Sequence, residues 1–113
     1  MERGRVPAAF IGRWSGMNEY EQRMAVLQAR FAARCPGDAA ALRQAWRARD
    51  QPEVRRILHG LAGNAGIFGY HQLSSAARSI EQALELSPGE ETIAARLEAL
   101  IAELESTGSP ARP

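Results

Sequence analysis

"RRILHGLAGNAGIFG", residues 55–69, is the stretch on which the reading of the chain turns. Ile57, Leu58, Leu61, Ala65 and Phe68, with Val54 just before them, fall on one side of a wheel drawn at about 100° per residue, the pattern of an amphipathic helix. Gly60, Gly63 and Gly66 nevertheless lie inside that helix, where each costs on the order of 1 kcal/mol relative to alanine. His59 lies roughly 140° from the mean core direction on the same wheel, so its ring is expected to face water. Gly63 follows one turn later on the same side, Gly66 lies two turns on at nearly the same angle, and Ala62 is three positions away. Together they predict a low, side-chain-poor shelf beside an exposed imidazole, with Arg55 and Arg56 on its N-terminal side. Close helix packing falls more naturally to Gly60 or Gly69, leaving Gly63 and Gly66 for the approach of something external.

Working outward, Tyr20, Met24, Leu27 and Phe31 recur at one helical face, with Asn18 as N-cap and Glu21 at the capping-box position. "CPG" at 35–37 reads as a stop, so a second helix is expected from Asp38 through Arg49, turning Leu42, Ala45 and Trp46 inward. Asp50, Pro52 and Glu53 start the third helix, which carries the opening stretch and ends near Gly69. Leu73, Ala76, Ala77, Ile80 and Leu84 mark a fourth. Ser87, Pro88 and Glu90 cap a fifth, striped by Ile93, Leu97, Leu100 and Leu104. No segment alternates like a strand, and the abundant alanine favours helix. The expected fold is all-α, an antiparallel up-down four-helix bundle with an additional N-terminal helix and an extended arm. Its divisions are an arm over 1–17, a bundle over 18–105 and a flexible tail over 106–113.

The chain has 113 residues, enough for one ordinary core. Fourteen basic residues, all arginine, against thirteen acidic ones leave a net charge of +1, which gives no general case for nucleic acid. The arginines at 43, 47, 49, 55 and 56 could suggest a DNA-binding bundle, but helices three and four each carry a substantial apolar stripe instead of a polar recognition face. The single cysteine, Cys35, excludes an internal disulfide or a four-thiolate zinc site. His71 begins the next helix without a matching glycine shelf and reads as structural or solvent-facing. A His59–His71 metal site lacks further ligands at compact spacing, so no metal is expected. Apolar runs are far shorter than the roughly 18 residues of a membrane span, and the N-terminus lacks a secretory pattern, which makes a cytoplasmic location the expectation.

An exposed imidazole is a nucleophile at neutral pH, because its ordinary pKa of about 6.5 leaves one ring nitrogen unprotonated. A phosphorylated ring nitrogen would need that exposure, and Arg55 or Arg56 could screen its charge. No P-loop and no kinase-type metal-binding acids accompany it, so no autonomous ATP-dependent kinase activity is expected.

"LHGLAGNAGIFGYHQLSSAARSIE", residues 58–81, resembles the signature of histidine-containing phosphotransfer domains, the four-helix intermediates of multistep phosphorelays. His59, Leu61, Gly63 and Gly69 match its first part; Leu73, Ile80 and Glu81 match its second. The resemblance implies that His59 is the phospho-acceptor, that Gly63 leaves room for a receiver domain and that Gly69 turns the chain. It also implies a partner receiver, from a hybrid histidine kinase or a response regulator, that brings the phosphorylated aspartate and Mg²⁺, this chain itself holding no cofactor. The family commonly has lysine three residues after the histidine, where this chain has Ala62; either Arg55 substitutes electrostatically, or transfer is slower or restricted in its partners. Neither nucleic acid nor a membrane is an expected partner, and a monomer is the expected state. The competing reading is a helical adaptor that binds receivers without phosphorylation.

Overall fold

A computed structural model describes residues 18–86 and 89–108, and among them every regular element is helical. Helix α1 spans Glu19–Arg47, α2 Gln51–Ile67, α3 His71–Leu86 and α4 Glu90–Gly108. Each helix packs on two others, in the cyclic order α1, α2, α3, α4. Cross-helix pairs run in opposite senses: Arg55 meets Glu85 and His59 meets Glu81 between α2 and α3. Arg43 meets Glu105 and Arg49 meets Glu90 at the α1–α4 side. The architecture is the antiparallel four-helix bundle expected from the stripes. The expected arm over 1–17 and the Ser87–Pro88 cap lie outside the described residues. Helix α4 continues to Gly108, past the boundary expected at 105.

The break expected at 35–37 is absent, and the additional N-terminal helix is continuous with the one that follows it. Pro36 lies inside α1. It withholds one backbone donor and crowds the carbonyl of Ala32, at a cost of about 3 kcal/mol in a helix interior. Burial offsets that cost, because Phe31, Cys35, Ala39, Leu42 and Ala45 form one buried stripe that runs straight through the proline while Pro36 and Gly37 face out. The Pro36 ring also sits against the end of α4: a Cβ added to Gly108 would overlap its Cδ and Cγ, so a residue without a side chain closes that contact.

The apolar face expected at the start of α1 is only partly used. Phe31 is buried, but Tyr20 is 68% and Leu27 39% exposed. Gly108, the last residue of α4, lies opposite Pro36, so among the described residues the first turns of α1 extend past α4 and meet mainly the α2–α3 corner.

That corner is fixed by backbone geometry. Gly69 adopts φ +87, and Tyr70 N–H donates to Ala65 O at 2.8 Å while Gly69 N–H donates to Gly66 O at 3.3 Å. This is a Schellman turn, and a glycine accepts its left-handed position without Cβ strain. Gln28 on α1 donates from Nε2 to Phe68 O at 2.7 Å, and the Phe31 ring lies 5.8 Å from Phe68 and 5.0 Å from Tyr70. The other caps follow the sequence pattern: Asn18 and Glu21 form a complete capping box, and Asp50 Oδ1 accepts from Glu53 N–H at 3.2 Å ahead of the Pro52 turn.

Cys35 is fully buried. Burial, reinforced by nearby Asp38 and opposed by Arg34, pushes its thiol up from 9.0 to about 11, so it carries no reactive thiolate at neutral pH. Phe31→Ala is expected to lower unfolding free energy by about 3–5 kcal/mol in chemical denaturation, because it opens a cavity at the aromatic corner joining α1, α2 and α3. A loss below about 1 kcal/mol would mean that this corner does not anchor α1.

Candidate functional site

Helix α2 buries Val54, Ile57, Leu58, Leu61, Ala62 and Ala65. With that face inward, His59 is carried to the outer surface, and its side chain is 80% exposed. The prediction of an outward ring therefore holds, and its cause is the rotational phase of the apolar stripe. The ring is not without a partner, however. Its Nδ1 lies 3.0 Å from Glu81 Oε2 on α3, and the Glu81 side chain is 23% exposed.

This contact distinguishes the two ring nitrogens. An ionised carboxylate can only accept a hydrogen bond, so this contact favours the neutral tautomer with the proton on Nδ1 and the lone pair on Nε2. The same bond fixes the orientation of the ring, and the high exposure of the side chain leaves Nε2 open to an incoming group. The arrangement suits nucleophilic attack by Nε2 on an electrophile delivered from solvent.

Beside the ring lies a shallow surface depression of about 300 Å³ lined by His59, Ala62, Gly63, Arg78, Glu81, Gln82 and Glu85. Gly63 is exposed and a Cβ there would meet nothing within 4 Å, so the bare shelf exists at this position. Gly66 behaves differently. A Cβ there would lie 3.3 Å from Ser74 Oγ, which makes Gly66 a close-packing residue against α3. Gly60, expected to pack closely, faces open space instead. The wheel misassigned these two because it places residues about one axis and cannot say on which side the neighbouring helix approaches. Ala62 is buried, at 3% exposure, and its carbonyl accepts a 2.7 Å hydrogen bond from the buried Ser74 hydroxyl.

The two arginines expected near the phosphoryl site are already engaged. Arg55 donates from Nη2 to Glu85 Oε2 at 3.2 Å. Arg56 grips Glu53 on its own helix with two bonds of 2.9 and 2.6 Å, an interaction that holds the Glu53 carboxyl below its usual pKa. Neither lines the depression. Gly69 occupies the turn as expected, and His71 lines a separate depression with Tyr70, Gln72, Glu103 and Thr107. Among the described residues no three His, Cys, Asp or Glu side chains are grouped to hold a metal ion. No described helix is long and apolar enough to cross a membrane.

Sequence reasoning matched Glu81 without assigning it a role, and it passed over Arg78. Both sit on the polar side of α3 at i and i+3, which places them together on one helix face. Their proximity to His59 depends on the α2–α3 register, which periodicity within either helix does not contain.

The bundle, the exposed histidine on α2, the bare glycine after it and the carboxylate facing it from α3 are thus one constellation. No curated protein and no solved structure matches the chain. The Hpt domain family model matches residues 26–107, which include all of α2 and α3 and nearly all of α4. The chain belongs to the Hpt domain family.

Proposed function

We propose that His59 is the residue through which this Hpt domain relays phosphoryl groups between receiver domains. The observation that carries the assignment is an imidazole 80% exposed with Nδ1 held 3.0 Å from a carboxylate. In the forward step the Nε2 lone pair attacks phosphorus of a receiver's aspartyl phosphate. A new N–P bond forms, the P–O bond to aspartate breaks, and its electron pair leaves on the aspartate carboxylate. Nδ1 keeps its proton, so the product ring is a cation, and Glu81 lies where it stabilises that charge. Attack by a second receiver's carboxylate on phosphorus reverses the sequence and restores the neutral ring.

The receiver supplies the acidic pocket and the Mg²⁺ that balance the transferring group. This chain contributes a poised nucleophile and an unobstructed approach over Gly63. A receiver of a hybrid histidine kinase as donor and a response regulator as acceptor are the partners that suit such an intermediate.

Incubation with phosphorylated receivers from the source organism should give an acid-labile, alkali-stable label that maps to His59 by mass spectrometry and vanishes in His59→Gln. Absence of label across the full receiver set would overturn the assignment; retained receiver binding by the His59→Gln variant would then favour the phosphorylation-independent adaptor. Glu81→Ala should slow transfer by about ten- to a hundredfold, the range seen when a carboxylate orienting a metal-bound histidine is removed. Nitrogen-15 NMR should show the proton of the neutral ring redistributing between Nδ1 and Nε2; an unchanged tautomer would show that Glu81 does not set it. Gly63→Ala should raise stability by about 0.5–1 kcal/mol in thermal unfolding, because a Cβ at this open helical site relieves the glycine penalty. Gly63→Gln, equally free of internal contacts, should keep the fold and block receiver-dependent labelling, whereas normal transfer would place the receiver's approach elsewhere.

A further inference from the structure

The family's usual lysine is missing, and the structure offers a different cation. Successive pairs between α2 and α3, Arg55 with Glu85 and His59 with Glu81, set an antiparallel register. One turn on from His59 along α2 lies Ala62, and one turn back from Glu81 along α3 lies Arg78. Both line the same depression beside His59. Ala62 is small, buried and uncharged, so α2 supplies no cation at this position. Arg78 is exposed, and among the described residues no carboxylate pairs with it, in contrast to Arg55 and Arg56.

The remaining charges at the site favour such a cation. Glu81 and Glu85 also line the depression. Glu81 is committed to the His59 ring, and the charge of Glu85 is answered by Arg55. A phosphoryl group brings about −1.5 to −2 charge at neutral pH. On Nε2 it would stand beside these carboxylates, and the exposed Arg78 guanidinium, without a carboxylate partner among the described residues, lines the same depression and is the group placed to oppose it. A planar guanidinium also matches two phosphoryl oxygens at once, which an ammonium does not.

We propose that Arg78, reaching across from α3, is the phosphoryl-binding cation of this domain, replacing from the neighbouring helix the charge that Ala62 lacks on α2. The proposal rests on His59 being the acceptor. It makes the phosphorylated form more favourable while leaving the nucleophile itself unchanged.

Phosphoramidate, a small donor that modifies exposed histidines without any receiver, separates this proposal from the relay assignment. In purified wild-type protein phosphorylated this way at His59, a phosphorus-31 NMR titration gives the last ionisation of the phosphoryl group. Arg78→Ala should move that ionisation to higher pH, and Arg78→Lys should restore part of the shift. Arg55→Ala should move it less than Arg78→Ala does. With a phosphorylated receiver, Arg78→Ala should also shift the equilibrium of label away from His59 by about tenfold, the effect of one charge-assisted hydrogen bond. Raised salt should reduce the wild-type advantage. Coincident titrations of wild type and Arg78→Ala would overturn the proposal, as would weaker receiver binding with an unchanged titration, which would make Arg78 a docking residue only. Failure of the relay assignment itself would show differently, as phosphoramidate labelling of His59 with no receiver-dependent label.

Discussion

The register between α2 and α3 is the constraint on which the site depends. It is set where α2 and α3 pack tightly: Gly66 offers no side chain to Ser74, and the Ser74 hydroxyl, buried and in need of an acceptor, donates to Ala62 O at 2.7 Å. A helical carbonyl has a second lone pair, so it can take this bond without giving up its place in the helix. Gly69 then reverses the chain in a Schellman turn that lets α3 start directly beside α2. A slide of one residue along this interface would separate His59 from Glu81.

Stability and reactivity are divided between the two sides of α2. The inward side carries fully buried Val54, Leu58 and Ala65, which hold the helix in rotational phase. The outward side carries the histidine and a glycine that contributes nothing to packing. Surface ion pairs such as Arg55–Glu85 contribute little energy, commonly between zero and about 1 kcal/mol. Their greater effect is on availability, since a guanidinium already paired is less free to meet an incoming phosphoryl group.

Phosphate chemistry on an exposed imidazole needs little from the protein beyond orientation, one fixed proton and access. In the proposed relay the Glu81 contact would supply the first two, and the open position at Gly63 the third. A deep pocket would obstruct a reaction whose other half is a folded domain. The shallow depression beside His59 fits that requirement.

Local periodicity was sufficient for much of this. The apolar stripes at 54–68, 73–84 and 93–104 defined three helices, their polar flanks turned His59 outward, and the Asn18, Asp50 and Gly69 signals located ends, because each is a matter of residues within a turn or two of one another. The Pro36 stop failed because a proline's local cost is visible in sequence, while the burial of Phe31 through Ala45 that offsets it comes from α4 and α2. Gly60 and Gly66 exchanged roles, Arg55 and Arg56 were found occupied, and Arg78 emerged, all for a related reason. Which side chains meet across two helices depends on their relative rotation and register, and those are fixed only when both faces pack against the rest of the bundle.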